Sequence, residues 1–522
     1  MDTLKTVIWN ANGLLQRLQE LKVFIHTNKI DVLLISETHF TVKSFLKIPH
    51  YNVYDTKHPS GRGHGGSAII IKQDIKHFFL CSFADVHIQA TAVTIITDCG
   101  NITLSAIYSP PKHKITVQQY ESFFKLLGNK FIAGGDYNAK HKLWGSKTIT
   151  PRGKILERTI RKLSLDTIST GEPTYWPSAQ EKTPGLLDFA ITKGLHKRHF
   201  VARSCLDLTS DHSAILTDFS SKPMFTYGTN HLYNNSTNWT QFKDHLEIKI
   251  NCNIPLKTPE QIETAVMNFT YIIQEACWIA TKQTGNDRKY LSFPDYILQK
   301  IKMKRKLKNI WQKRKTQLNK SRLNASTKEV KQLIQNYLNT EFYNYITKLS
   351  PKEDTNYSLW KATERLKRSA ILLPAIKKND FSWARSTLDR ANVFAEHIQH
   401  TFKPNTGSCN ITPQVTPQPT TEHQVQIISP TTVKEVTRLI HETRDKKTPG
   451  FDMITGKILK ELTPKAVRML TIIFNAVLRS KYFPVNWKLA QVIMLPKPKK
   501  DPHLPSSYRP VSLLPLMSKL LE

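Results

Sequence analysis

Over roughly the first 222 residues, short apolar runs alternate with turn residues and a few stretches at helical spacing. Thr6–Trp9, Val32–Ser36, Ser67–Ile71, Val93–Ile96, Ile102–Tyr108, Leu186–Ile191 and Ala214–Phe219 read as strands. Between them, Leu14–Asn28 carries Leu18, Leu21, Phe24 and Ile25 on one helical face, and Val117–Leu127 and Arg152–Leu163 predict two further helices. Gly61–Gly66 predicts a hairpin or loop. Mixed strands with helices outside them imply a layered α/β sandwich rather than a barrel. Ser220 to about Asn230 has Pro223, few apolar residues and no periodicity, so it reads as a linker. Beyond it helical spacing dominates, as in Ile262–Trp278 and Val330–Lys348. The expected layout is a first domain over 1–222, a helical basic connector over 223–404, a Thr/Pro/Gln-rich linker over 405–424 and a last segment over 425–522.

The strand pattern places polar residues at strand ends. Phe131, Ile132 and Ala133 are cut off by Gly134-Gly135, which predicts a sharp turn that presents Asp136 and Asn138 at the strand's mouth. Side chains at i and i+2 of an extended segment point the same way, so the carboxylate and the amide face one pocket. A carboxylate that only accepts, beside an amide that donates and accepts, suits a phosphate attacked by an activated water. Asn10/Asn12, Glu37, Tyr108, Asp188 and Asp211/His212 also stand at strand ends, and in layered α/β proteins such ends converge on a common site.

Charge narrows the class of partner. Seventy-five Lys and Arg face 41 Asp and Glu in 522 residues, a net +34, which repels itself unless a polyanion is the usual companion. Tyr296–Lys328 holds twelve Lys or Arg, no acidic residue and Trp311. It reads either as a solvated basic helix or as a strip along a nucleic-acid backbone, partly disordered without that ligand. The N-terminus lacks the features of a signal peptide, and no apolar run is long enough to span a membrane. Six scattered cysteines without CxxC spacing exclude a zinc module or disulfide framework and fit a reducing compartment.

The series WNANGL, ISETHF, AIYSPP, GGDYNAKH, PTYW, LLDFAI and SDHSAI, in that order over about residues 5–219, resembles the endonuclease/exonuclease/phosphatase superfamily. Within it the series is most like the endonucleases of LINE-type, jockey-like non-LTR retrotransposons. The resemblance implies an α/β fold of four layers and a Mg²⁺- or Mn²⁺-dependent phosphodiesterase. Glu37 would be the direct metal ligand, with Asn10, Asn12 and Asp211 around it; Asn12 stands where the family often has Asp, which leaves the number of metals open. His212, partnered by Asp188, would donate to the phosphate. Asp136 would orient or deprotonate the water, with Asn138 and Tyr108 donating to phosphate or leaving oxygen; the alternative gives the base role to the Asp188–His212 pair. Thr174 and Ser210 match positions lining the family's DNA-facing pocket, and Arg152 is either a phosphate contact or a plain helix-start arginine.

Farther on, PGFDxIxxxxLK, FPxxWK, LPKPxK and SYRPVSLLPxxSKLLE resemble the start of a non-LTR reverse transcriptase, its fingers and the entry to the palm. There Lys497 and Arg509 would face template and incoming nucleotide. No Tyr-x-Asp-Asp occurs, and polymerisation needs paired acidic residues for two metal ions, so a truncated, non-polymerising portion is expected. Together these resemblances imply an endonuclease that nicks target DNA to prime reverse transcription. Its partners would be target DNA and, through the connector and the reverse-transcriptase part, element RNA, with no membrane. It would be made in the cytoplasm and act in the nucleus. The alternatives are an apurinic-site repair nuclease and a catalytically dead nucleic-acid binder.

Overall fold

The computed structural model describes residues 3–98, 100–179, 181–225, 231–234, 236–281, 293–347, 374–403, 429–445 and 447–522; the expected linker at 405–424 lies outside them. Two compact units are present, one comprising Met1–Gly228, Arg288–Ala375 and Arg385–Thr387, the other Thr229–Asp287, Ile376–Ala384 and Leu388–Glu522. No helix among the described residues is long and apolar enough to cross a membrane.

The first unit holds twelve strands: β1 (Leu4–Asn10), β2 (Val32–Ser36), β3 (Tyr51–Thr56), β4 (Ser67–Lys72), β5 (His77–Ala84), β6 (Gln89–Thr97), β7 (Gly100–Tyr108), β8 (Phe131–Asp136), β9 (Asp166–Ile168), β10 (Asp188–Lys193), β11 (Phe200–Cys205) and β12 (Ala214–Phe219). They form two six-stranded sheets, ordered β11-β12-β1-β2-β4-β3 and β5-β6-β7-β8-β10-β9. Only β1/β2 and β7/β8 run parallel; the other pairs are antiparallel. Alternate residues face opposite ways, so β1 sends Ile8 inward among Leu34, Ile69, Leu104 and Ile132, and Val7 and Trp9 outward. The inner layer is thus branched aliphatic, each fully buried side chain contributing roughly 1.5–3 kcal/mol. Helix α1 (Leu18–Asn28) covers the first sheet through Leu21, Phe24 and Ile25, while α2 (Val117–Leu126) and α3 (Pro151–Lys162) cover the second. Thr116 and Gln119 close a capping box on α2, and the Thr150 hydroxyl caps α3 at the Gly153 amide. The result is four layers, helix–sheet–sheet–helix, as expected.

Three local expectations change. The strand at Phe131 does not stop before the glycines: β8 runs through Gly134 and Gly135 to Asp136, in register with both neighbours. The glycines answer a packing demand. A Cβ at Gly134 would stand 2.8 Å from Ile8, and one at Gly135 would stand 1.9 Å from the Ile107 carbonyl oxygen. The segment after β12 is not a free linker as far as residue 225. Met224 exchanges backbone hydrogen bonds with Ile96 (2.8 Å) and Lys76 (2.7 Å), and Pro223 and Phe225 bridge Thr97 and Ile75. The basic run at Tyr296–Lys328 is not one free-standing helix, although most of its basic side chains stay exposed. It belongs to α4 (Asp295–Lys313) and α5 (Gln317–Thr347), which pack on each other and on α1. Val23 of α1 is buried with Ile297, Val330 and Ile334, and the lysines 304 and 308 are buried as well.

In the second unit, helices Trp239–Lys249, Pro259–Ala280, Val433–Glu442 and Pro464–Ser480 share one core with Trp487, Leu516 and Met517. Strands Gln491–Pro496 and Tyr508–Leu513 pair as an antiparallel ribbon. The expected connector at 223–404 therefore contributes helices to both units.

Candidate active site

Register builds the site. In the second sheet Tyr108, Asp136 and Asp188 end three adjacent strands side by side, Tyr108 opposite Asp136 and Asp136 opposite Asp188. In the first sheet Asn10 lies opposite Ser36, so Glu37 follows at the same end, and His212 stands two residues before β12. The two sheets are tied together there. The Ser36 hydroxyl accepts from the Asp136 amide (3.1 Å) and donates to the Ile107 carbonyl (3.1 Å).

The buried Asn10 amide donates to Glu37 Oε1 and to Asp136 Oδ2, both at 2.9 Å, joining carboxylates from the two sheets. Its Oδ1 accepts from the Asn12 amide nitrogen (3.0 Å), and Asn12 Nδ2 donates to Asp211 Oδ1 (3.1 Å). Asn138 donates its backbone amide to Asp136 Oδ1 (2.8 Å) and its Nδ2 to the Ser109 carbonyl (3.2 Å). Its partnership with Asp136 is thus a turn, not an extended i, i+2 pair. Asn12, Glu37, His39 and Asn138 all have left-handed backbones (φ 43°, 50°, 54° and 47°). Strain of this kind in non-glycine residues clusters where geometry serves function.

Electrostatics sorts the groups by protonation. His212 Nδ1 lies 2.7 Å from Asp188 Oδ2. Burial disfavours its charge, but Asp188 more than offsets this and the imidazole is pushed up to about 10. Burial, then the charge of Asp188, pushes the Asp136 carboxyl up to about 8. Glu37 goes the other way: burial would raise it, yet hydrogen bonds from His39 and Asn10 and the His212 charge hold it below the usual range. Asp211 is also held low, because His212, Asn12 and Ser210 outweigh its burial. Burial and the Glu37 and Asp136 carboxylates keep the Tyr108 phenol protonated. Asp188 Oδ1 is buried without a hydrogen-bond partner, and ligand atoms of Asp136, Asp188 and His212 lie within 4.8 Å of one another. Crowded carboxylates with an unsatisfied buried oxygen fit a hard divalent cation bound through oxygen. Glu37, on the solvent side of Asn10's bridge, and Asp136 would hold it, with His212 charged beside it.

The remaining expectations divide. Ser210 stands in the site, its hydroxyl on the Asn10 carbonyl (2.9 Å) and Asp211 Oδ1 (3.1 Å). Thr174 does not line a DNA-facing surface: it is 1% exposed, and its hydroxyl accepts from the Leu187 and Asp188 amides (3.1 and 3.0 Å), fixing the start of β10. The Arg152 guanidinium donates to the Ser109 carbonyl (2.9 Å) and hydroxyl and to the His113 carbonyl. Lys497 and Arg509 belong to the ribbon of the second unit, where Lys497 Nζ donates to the Ser506 carbonyl (2.8 Å) and Arg509 is exposed. Three functional positions escaped the sequence reading. Ser36 ties the sheets, Tyr175 sets its ring 4.9 Å from that of His212, and His39 lies 3.4 Å from Glu37. Tyr175 stands within PTYW and His39 within ISETHF, so proximity to a motif was the available signal.

The geometry defines a two-sheet α/β fold whose strand ends gather an acidic, histidine-bearing site. Residues 7–212 match the Endonuclease/Exonuclease/phosphatase family. All of the chain aligns with the RNA-directed DNA polymerase from mobile element jockey of Drosophila melanogaster, at 34% identity over 57% of that protein. It likewise aligns with the probable RNA-directed DNA polymerase from transposon X-element of the same species, at 31% identity over 58%. The chain thus spans little more than half the length of these relatives. Among solved structures, the endonuclease domain of TRAS1, a telomere-specific non-LTR retrotransposon, is 23% identical, with 41% of this chain and 98% of that one covered and a TM-score of 0.35. The chain is similar along its whole length to the protein of mobile element jockey, and the family match falls at residues 7–212.

Proposed function

We propose that residues 7–212 hydrolyse a phosphodiester in target DNA, leaving a nick whose 3′-hydroxyl primes reverse transcription. The observation that carries this reading is the in-register row Tyr108–Asp136–Asp188, faced by Glu37 through the Asn10 amide and completed by His212. His212, held as an imidazolium by Asp188, donates from Nε2 to a phosphate oxygen on which charge develops. Asp136 in its ionised form takes the proton of the attacking water, its basicity raised by burial and by Asp188, whereas the Asp188–His212 pair is already committed to its own hydrogen bond. The protonated Tyr108 donates to the phosphate or the leaving oxygen, and Asn138 positions Asp136. A bound Mg²⁺ or Mn²⁺ supplies charge neutralisation at the phosphate and the departing alkoxide.

The second unit we assign to the start of a reverse transcriptase, with Lys497 and Arg509 toward an RNA template. We infer that the chain acts in the nucleus, where the target DNA of the nicking reading lies. The test mixes the full chain with supercoiled plasmid, with Mg²⁺ or with EDTA. Open circles formed only with the metal are expected. A folded chain that makes none is a binder, and nicking confined to abasic plasmid would make it a repair nuclease.

A further inference from the structure

Beside the site, the first unit carries a cleft of about 430 Å³ between the loop at 209–211 and the helix pair α4–α5. Ser210 and Asp211 are among its lining residues; its basic groups are Arg17, Lys304, Lys308, Lys320, Lys328 and Lys331, with Trp311 among them. The helix pair is fastened to the loop that carries the catalytic histidine. Lys304 Nζ donates to the Asp207 carbonyl (2.6 Å) and pairs with Glu20, Lys308 Nζ donates to the Leu208 carbonyl (2.8 Å), and Arg305 pairs with Asp207. One turn on, Gln312 Nε2 donates to the Ser213 hydroxyl (3.2 Å). These contacts, with the apolar packing of Val23 against Ile297 and Val330, make α4 and α5 a wall of the nuclease unit.

We propose that this cleft holds the sugar–phosphate backbone of the DNA strand being cut, on the side of the scissile phosphate next to Asp211. The inference rests on the nuclease reading given above and adds to it a binding surface that lies outside residues 7–212. Lys320, Lys328 and Lys331 recur at i, i+8 and i+11, one face of α5. They span about 16 Å of helix axis, a length over which one DNA strand carries about five phosphates. Lys328 and Lys331 are exposed and form no ion pair among the described residues. Lys320 Nζ lies 4.1 Å from the centre of the Trp311 ring, which aims the ammonium without neutralising it. Ser210 and Asp211 line the cleft and immediately precede His212 in the chain, so a strand lying in it runs against the loop that carries His212. That favours the cleaved DNA over element RNA as the occupant.

The test uses the full chain with Lys320→Gln, Lys328→Gln and Lys331→Gln combined, and measures duplex binding in a Glu37→Gln background, so that the readout does not depend on cutting. Binding at 150 mM salt should weaken by about tenfold or more, and the plot of log affinity against log salt should become shallower by about 2 to 3, close to 0.9 per lost phosphate contact. Lys302→Gln/Lys306→Gln, two exposed lysines away from the cleft, should leave the slope nearly unchanged. An unaltered slope in the triple variant overturns the proposal, as does a loss confined to single-stranded RNA. If the wild-type chain never nicks plasmid but the triple variant still loses duplex binding, the cleft stands and the nuclease reading falls.

Discussion

Glu37 keeps its charge through partners rather than exposure: the Asn10 amide, His39 and the nearby His212 outweigh a burial that would otherwise protonate it. Glu37→Gln preserves size and removes the charge, so plasmid nicking should fall about 10²- to 10³-fold, with the circular dichroism spectrum unchanged; activity within a few fold of wild type would remove Glu37 from the site. Thr174 acts through Asp188. Thr174→Val leaves two backbone amides without their acceptor, at a cost of about 1–3 kcal/mol of stability. Nicking should fall at the same time, whereas Thr174→Ser should restore both; equal activity in the valine and serine variants would make the hydroxyl irrelevant to Asp188. The contrast shows what was legible. Glu37, Asp136, Asp188 and His212 could be found because a charged group at the end of a buried strand is chemically conspicuous. Thr174 misled because a sequence displays a side chain's donors and acceptors but not the backbone groups that engage them.

At the scale of elements, strands buried on both faces announced themselves. β2 (VLLIS) and β12 are apolar enough to read directly, whereas β3 and β5 are half-buried edge strands whose polar and aromatic residues blur any period. The helix pair is a sharper case. A run of twelve basic residues looks solvated because a lysine's charge is visible in sequence, while the carbonyls and Glu20 that receive it sit some 100 to 280 positions away. Burial of Lys308 has a measurable signature. Its ammonium is pushed down to about 8 from an ordinary 10.5, so between these values the unfolded chain binds more protons and stability rises with pH. The melting temperature of wild type minus that of Lys308→Met should therefore climb from pH 8 to pH 10 and stay flat below pH 7. Fully realised, the change is up to about 3 kcal/mol. A difference that falls with pH, or does not move, would show that Lys308 is not buried against Leu208.

For the whole molecule, two separate apolar cores predict two melting events. The sheets of the first unit bury Ile8, Leu34, Leu104 and Ile132 among themselves, while the second unit buries Phe242, Phe269, Ile473 and Phe474. Units with their own cores and boundaries unfold as separate cooperative transitions. The carboxylates proposed to hold the cation all belong to the first, so a cation that binds only the folded site should stabilise that transition alone. At about a hundred times its dissociation constant it adds roughly 2.7 kcal/mol, about 4 °C for a unit of this size. Calorimetry of the full chain with millimolar Mg²⁺ should show one transition rising by that amount and the other holding still. Glu37→Gln should abolish the rise without lowering the unshifted transition. Equal shifts of both events, or a rise that survives Glu37→Gln, would mean that Mg²⁺ acts on general charge rather than at the Glu37–Asp136 site.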